Sequence, residues 1–170
     1  MHLKNVEDST IRARNDVVQL PLAEITDEEL RESREIVAQH DANAPFLQLV
    51  KAHKTLDVAA QQGKPFEFDV QVVGLGRDIA WVALPDEVFV ELGLSIKAAS
   101  PFRQTNVVEL AGGGHYTPTR SAYAEGQYEA IETPFAEGAG ELLVTTATRL
   151  LTEIYRDAAD GTAENTISLT

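Results

Sequence analysis

The sequence has no cysteine and few basic residues. The absence of cysteine excludes disulfides and thiolate metal sites, although it does not select a cellular compartment. Lysine and arginine number 14 against 27 acidic residues, which gives a formal net charge of -13 at pH 7. This charge repels a phosphate backbone, whereas a basic protein would gain binding affinity from counterion release. Nucleic acid is therefore excluded as an expected partner.

Long apolar runs are also absent. No stretch approaches the roughly 18 apolar residues that a bilayer-spanning helix requires, and residues 1–15 are polar, without the apolar centre of a signal peptide. We therefore expect a soluble chain with no transmembrane segment and no signal peptide in this sequence. A signal on a longer precursor would direct the protein to the periplasm or beyond, so localisation stays open.

Several catalytic signatures are missing. There is no GxSxG turn, and the glycines at 112–114 are followed by no lysine and fit no GxGxxG register, so neither a nucleophile elbow nor a phosphate loop is indicated. The four histidines, at 2, 40, 53 and 115, lack the close spacing of a metal-binding helix or hairpin. A self-contained zinc site is not expected.

What is present is enough for one folded domain. The chain has 170 residues, and its hydrophobic content of 44% can form a core. We assign residues 1–14 to a flexible arm, 15–157 to a single domain and 158–170 to a flexible tail.

Periodicity predicts strands and helices that are mixed without regular alternation. Thr26 and Glu29 have capping-box spacing, which predicts a helix from there to about His40. Alternation at 66–72 predicts a half-buried strand, whereas the uniformly apolar 79–84 predicts a central strand covered on both sides, with Trp81 in the core. Further strands are predicted at 16–22 and 106–110, and further helices at 44–62, 88–100 and 139–156. These elements favour an α/β (α+β) fold, with a mixed sheet of about four to five strands and helices packed on it.

Two polar clusters follow apolar segments. Glu87 comes just after a predicted strand and a proline, where a carboxylate can be a metal ligand or general base; equally, Asp86 and Glu87 can simply occupy the first turn of a helix. Glycines 112–114 indicate a turn or a close backbone approach, and His115 and Tyr116 come directly after them.

A series of short motifs resembles a known family. The segments are ALPDEVFVELGLSIK at 83–97, SPF at 100–102, YTPTR at 116–120, YAEG at 123–126, YE at 128–129 and EGAGE at 137–141. In order and spacing they resemble the second half of the neutral/alkaline non-lysosomal ceramidase domain, most of all its bacterial ceramidase-like members. The resemblance covers residues 17–156.

The resemblance implies hydrolysis of the amide bond of N-acylsphingosine, or a related lipid amide, at a zinc ion. In that family zinc is held by two histidines of the first half with a glutamate and a tyrosine of the second. Carried over by motif, these two ligands are Glu87 and Tyr116, and a pocket would include His115, Arg120, Gly113 and Gly114. The histidine-bearing first half has no counterpart here, and residues 111–115 read AGGGH where members often carry an asparagine.

Three functions remain open at this stage. The chain is the carboxy-terminal part of a ceramidase-like zinc amidohydrolase, inactive and without zinc by itself, with the missing upstream half or a homo-oligomer as partner. Alternatively it is a non-catalytic binding or oligomerisation module derived from that fold. The third possibility is a complete small hydrolase that uses His115 with Glu87 and an acid such as Glu109.

Overall fold

A computed structural model of the protein describes Val6, residues 8–39 and 45–160, and the backbone of 166–168. His2 and His40 lie outside these residues. The strands are β1 (Thr10–Leu20), β2 (Phe66–Leu75), β3 (Ile79–Ala83), β4 (Glu87–Val88), β5 (Gln104–Val108), β6 (Tyr116–Thr117) and β7 (Thr166–Ser168). The helices are α1 (Asp27–Gln39), α2 (Phe46–Ala60), α3 (Val90–Ala99), α4 (Arg120–Glu125), α5 (Tyr128–Glu132) and α6 (Ala139–Asp160).

Five strands form one mixed sheet in the order β5-β3-β2-β1-β7. β2 pairs antiparallel with β1 and β3, whereas β3 and β5 run parallel because α3 forms the crossover between them. The predicted mixed sheet with packed helices is confirmed. The very short strands β4 and β6 are not part of this sheet. They pair with each other in parallel and carry the site described below.

Helices cover one face of the sheet. The alternation of β2 places Val70 and Val72 fully buried on that face, and they share one core with Leu151 and Ile154 of α6 and Ile96 of α3. Close packing requires a glycine at 74 in β2, since a methyl group there would lie 2.9 Å from Ile154 Cγ2. The long amphipathic α6 begins at the predicted residue 139 and supplies the largest part of this cover.

The opposite face corrects the expectation for β3. Ala80 and Val82 are fully buried, but Trp81 is 39% exposed, so this central strand is covered on only one side. Cross-strand register defines the rows of the uncovered face, which we call the open sheet face: Ile11, Leu75, Ile79 and Gln104 in one row, Ala13, Val73, Trp81 and Asn106 in the next, then Asn15, Gln71, Ala83 and Val108. The first three positions of two neighbouring rows are therefore an apolar patch, and polar residues border it. A uniformly apolar run cannot distinguish cover by the chain's own helices from cover by a partner.

The two assigned termini also need correction. Residues 10–14 belong to β1, where Arg14 turns toward α6 and donates to Asp157 at 2.7 Å instead of lying in a loose arm. Residues 158–160 continue α6, and Thr166–Ser168 pairs antiparallel with the start of β1. Charged residues at alternate positions conceal the strand pattern of β1: Arg14 and Asp16 form ion pairs with Asp157 and Arg149 of α6, and the buried Arg12 pairs with Asp8.

Local signals elsewhere agree with the structure. The Thr26 hydroxyl accepts from the Glu29 N–H at 3.2 Å while the Glu29 carboxylate accepts from the Thr26 N–H at 3.0 Å, which is the predicted capping box at the start of α1. Within the described residues, none of the helices combines the length and hydropathy that a bilayer crossing needs.

Candidate functional site

Glu87 and Tyr116 are direct neighbours across the small parallel pair of β4 and β6. Their Cα atoms are register partners, and the Glu87 N–H donates to the His115 carbonyl at 2.8 Å. Glu87 therefore lies in a strand, and the alternative that Asp86 and Glu87 occupy the first turn of a helix is wrong, because α3 begins only at Val90. The two polar clusters, which are distant in sequence, meet here.

The pair has one buried side and one accessible side. Val88 and Thr117, the next register partners, are 5% and 0% exposed and point into the core. Because side chains alternate along a strand, Glu87 and Tyr116 share the opposite, accessible side. A carboxylate and a phenol are thus presented together.

Asp86, which precedes β4, is hydrogen-bonded to the segment that leads into β6. Its side chain is fully buried, and its Oδ1 accepts from the N–H groups of Gly114 at 2.9 Å and His115 at 3.0 Å. Its carbonyl accepts from the Leu110 N–H at 3.0 Å. We call this arrangement the Asp86 clamp. Burial raises the pKa of the Asp86 carboxyl, and the two N–H donors oppose that rise.

The glycine segment is shaped to receive this carboxylate. Gly113 has φ +154°, and a methyl group there would overlap Asp86 Oδ1 and lie 2.9 Å from its Cγ. Gly112 has φ +138°, but a methyl group there would have no neighbour within 4 Å. The expected turn with a close backbone approach is confirmed, and Gly113 is the residue that requires it.

Tyr116 is fixed from a second direction. The buried Thr133 hydroxyl donates to the Tyr116 carbonyl at 2.7 Å, and the rings of Tyr116 and Tyr128 pack edge to face with centroids 6.0 Å apart. The Glu87 carboxylate, followed by burial and then Tyr128, raises the pKa of the Tyr116 hydroxyl. The phenol therefore stays protonated at neutral pH unless a cation offsets the carboxylate.

The other predicted pocket residues divide into two groups. His115 follows the Asp86 clamp, and its ring packs between those of Phe66 and Phe135 at 5.6 and 5.8 Å. Arg120 begins α4, and its guanidinium donates to Glu137 at 3.0 Å; no hydrogen bond among the described residues joins it to Glu87 or Tyr116. Glu109 is exposed, and no hydrogen bond among the described residues joins it to His115, so the third hypothesis gains no support from the structure.

The described residues contain no complete metal site. Glu87 and Tyr116 supply two oxygen donors on one side, but no group of three or more histidine, aspartate or glutamate residues able to hold a metal occurs in the described part of the chain. Catalytic zinc usually takes three protein ligands and keeps a fourth position open. The donor set thus does not fit zinc without further ligands, and no catalytic step through zinc follows from this chain alone.

Sequence reasoning missed Asp86, Thr133 and Tyr128 as parts of the site. Asp86 adopts φ +58°, which is unusual for a residue other than glycine, and no local pattern indicates it. Thr133 lies just before Pro134, and only the fold brings it to Tyr116. The one usable signal was the segment Leu-Pro-Asp-Glu followed by three glycines, which pairs an acid with a backbone able to approach it.

Comparison with solved structures gives a consistent fold. The structure of neutral ceramidase from Pseudomonas aeruginosa matches 86% of this chain with a TM-score of 0.55 and 16% identity. A structure described as ceramidase complexed with C2 matches the same share with a TM-score of 0.54 and 14% identity. The match spans only 28% and 30% of those chains. No family model and no curated protein matches the sequence. Over most of its length the chain therefore has a ceramidase-like fold, corresponding to less than a third of those proteins.

Proposed function

We propose that the chain is the carboxy-terminal part of a ceramidase-like zinc amidohydrolase that acts on N-acylsphingosine or a related lipid amide, and that it is inactive alone. Glu87 and Tyr116 are its share of the metal shell. The observation that carries the proposal is their adjacency in β4 and β6, on the accessible side, in a chain with a ceramidase-like fold.

The rigidity of the pair supports a role beyond folding. Asp86 is a buried carboxyl with a raised pKa, and its Oδ2 has no hydrogen-bond partner among the described residues. Leaving such an oxygen unpaired costs roughly 1–3 kcal/mol. Unfavourable local arrangements of this kind are commonly retained at functional sites. The cost at Asp86 is therefore consistent with a functional role for the position of Tyr116.

The open sheet face supports a missing partner. Trp81 is 39% exposed in an apolar patch that it shares with Val73 of its own row and with Leu75 and Ile79 of the neighbouring row. Val108, on the edge strand β5, is 46% exposed. Antiparallel sheets often leave one face to solvent, but that face is then usually polar. An apolar face instead indicates a partner surface, and an upstream half of the domain would provide one together with the remaining zinc ligands.

The bound zinc would polarise the amide carbonyl and generate a nucleophilic water near neutral pH. In this proposal Glu87 supplies a negative donor, and Tyr116 supplies a phenol whose pKa the metal would lower. The Asp86 clamp positions both without contacting the substrate.

The proposal is tested by assaying N-acylsphingosine hydrolysis and zinc uptake by the chain alone and joined to the polypeptide encoded upstream of it. We expect turnover only for the joined protein, and loss of that turnover in E87Q and Y116F. The exposed E109Q variant is the matched control. Strong turnover by the isolated chain would refute the partial-site proposal.

A second candidate is a non-catalytic binding or oligomerisation module, and the open sheet face is the observation that favours it. The coding sequence upstream of the chain distinguishes the two candidates. An uninterrupted upstream reading frame with paired histidines would favour the amidohydrolase, and its absence would favour the module. Trp81 is the only tryptophan, so its emission reports directly on cover of this face. A blue shift with increasing concentration of the chain alone, together with dimer mass by light scattering, would favour the module.

A further inference from the structure

A groove between α2 and α5 contains a lysine that the site described above does not use. The volume of the groove is about 460 Å³, within the usual range for small-molecule sites. Its apolar lining includes Leu49, Val50 and Pro134. Phe46 stacks on Tyr128 with ring centroids 6.1 Å apart, and both rings belong to the lining. The groove therefore offers an apolar and partly aromatic surface to a ligand.

Lys54 of α2 carries the one primary amine among the described residues of this lining. The residue is half-buried, and no hydrogen bond or salt bridge holds its ammonium within the described part of the chain. Glu29 and Glu132 attract the ammonium from beyond salt-bridge distance, whereas Lys51 repels it. Burial, followed by Lys51, lowers the pKa of Lys54 against the opposing effect of the two glutamates. The neutral amine is therefore more abundant here than on an exposed lysine.

The arrangement differs from that of a lysine with a purely structural role. The neighbouring Lys51 pairs with Glu29 at 3.8 Å. Lys54 and Glu132 line the same groove without such a salt bridge, and Glu132 Oε2 is buried with no hydrogen-bond partner among the described residues. A neutral amine is a nucleophile, and a desolvated lysine in an apolar pocket is the form in which this side chain reacts with carbonyl compounds. The groove thus places a reactive amine beside space for a small ligand.

We propose that Lys54 forms an imine with an uncharged, apolar aldehyde that binds in this groove. The amine nitrogen attacks the carbonyl carbon, and its two hydrogens leave with the carbonyl oxygen as water. A carbon–nitrogen double bond replaces the carbonyl, with no change in oxidation state. Asp57 and Glu132 disfavour an anionic aldehyde, which would also face the net charge of -13. This site is independent of the proposed zinc site.

Reductive trapping measures imine formation at each lysine, because cyanoborohydride converts the imine to a stable secondary amine. The full chain is incubated briefly with benzaldehyde near neutral pH, and peptide mass spectrometry gives the labelling rate of each lysine. Lys64 and Lys97 are exposed and serve as internal controls. We expect Lys54 to be labelled about 10-fold or more faster than either, since the bound aldehyde lies beside a neutral amine. A rate at Lys54 no higher than at Lys64 would overturn the proposal.

Two further ligands test whether the groove, and not the amine alone, causes fast labelling. Benzyl alcohol has the same ring but no carbonyl, so it should protect Lys54 and leave the rate at Lys64 unchanged. 4-Carboxybenzaldehyde is anionic and should lower the ratio of Lys54 to Lys64 labelling about 3-fold or more. No protection by the alcohol, or an equal ratio for the two aldehydes, would contradict binding in the groove.

Three variants locate the bound aldehyde. V50W fills the groove and F46A removes one of its rings, and both should lower the ratio of Lys54 to Lys64 labelling about 3-fold or more. L94A is the matched control for F46A, since Leu94 is 56% exposed on α3 and does not line the groove. F46A keeps the test valid if V50W does not fold, because an exposed ring contributes little to the core. A ratio that F46A leaves at the value of L94A would overturn the assignment.

The pH dependence of labelling, measured relative to Lys97, tests the electrostatic surroundings of the amine. The Lys54 profile should rise at lower pH than that of an exposed lysine, because its pKa is lowered. K51M should move the profile to higher pH and E132Q to lower pH, since Lys51 lowers this pKa and Glu132 raises it. Profiles that neither substitution moves, or that both move in the same direction, would refute the assignment. The other titratable groups of the lining are the same in both variants: His53, Asp57, His115 and Tyr128.

K54R separates this site from the zinc site. The substitution keeps the positive charge, so fast labelling should disappear while zinc uptake through Glu87 and Tyr116 is unchanged. Fast labelling that persists at another lysine in K54R would overturn the proposal. Fast labelling of Lys54 in a wild-type chain that takes up no zinc would uphold this site and count against the proposed function.

Discussion

Replacement of Gly113 by alanine tests the Asp86 clamp most sharply. The new methyl group would overlap Asp86 Oδ1 and lie 2.9 Å from Cγ and 3.1 Å from the Asp86 nitrogen. The carboxylate cannot move away without losing the N–H donors of Gly114 or His115. A hydrogen bond to a charged group contributes about 1.5–3 kcal/mol, and a side chain at this positive φ adds about 1–3 kcal/mol of strain.

The expected loss for G113A is therefore about 3–5 kcal/mol of unfolding free energy. G112A is the matched control, because Gly112 has a similar φ of +138° but open space around the added methyl group. It should lose only the strain, about 1–3 kcal/mol. Urea unfolding followed by circular dichroism and by Trp81 fluorescence measures both, with equal m-values required for the comparison.

A double-mutant cycle separates the overlap from general loop damage. In the background of D86A the overlap with Oδ1 and Cγ is gone and only the 3.1 Å contact with the backbone nitrogen of residue 86 remains, so the added cost of G113A should fall most of the way to that of G112A. Failure of G113A to fold while G112A folds would also agree with the clamp. Equal losses for G113A and G112A, or an unchanged cost of G113A in the D86A background, would refute this account of the loop.

Three further predictions concern single side chains. E87Q should lower the pKa of Tyr116 toward its ordinary value, because the Glu87 carboxylate is the largest cause of the rise; a tyrosine-resolved NMR titration would show this, and E109Q should leave the value unchanged. Y123F should cost about 1 kcal/mol, since the phenol donates to two carbonyls at 3.1 and 3.3 Å. Burial raises the pKa of Tyr123 to about 12, so its contribution is complete below pH 10, is lost as the pH rises toward 12, and should vanish from the alkaline unfolding profile of Y123F. T26A should cost about 1 kcal/mol through the capping box, and a thermal melt showing no loss would contradict that role.

The local elements could be predicted where the pattern and its physical cause lie in one short segment. The alternation from Phe66 to Val72 requires one buried face, and the structure has a strand there with that burial. The capping box and the apolar stripe of α6 are equally local. The mixed sheet followed from these elements because their order fits few other arrangements.

The cover of β3 could not be predicted for a different reason. Residues 79–84 are apolar on both faces of the strand. This pattern predicts that both faces are covered, but it does not indicate which surface covers each face. Ala80 and Val82 are fully buried in the core that also contains residues of α6, while Trp81 is 39% exposed on the other face. Which surface covers a strand depends on long-range packing, and here the sequence indicates a cover that the described residues do not supply.

The site was predictable only through motif resemblance. The resemblance singled out Glu87 and Tyr116 together, and the structure pairs them across β4 and β6; their role as metal ligands stays a prediction. Periodicity could not have found β4 and β6, since two residues are too few to show a strand. The positive φ of Asp86 and the close approach of Gly113 to its carboxylate are likewise invisible in the periodicity of the sequence.

Zinc titration of the isolated chain, compared with E87Q and Y116F, tests the central claim of a shared but partial metal shell. Complete structural zinc sites bind with about 10–16 kcal/mol, so half of that free energy corresponds to a Kd of roughly 1 µM or weaker. We predict such weak binding, its loss in both variants, and no hydrolysis of N-acylsphingosine. Tight zinc binding with turnover, or zinc binding that neither substitution changes, would contradict the account.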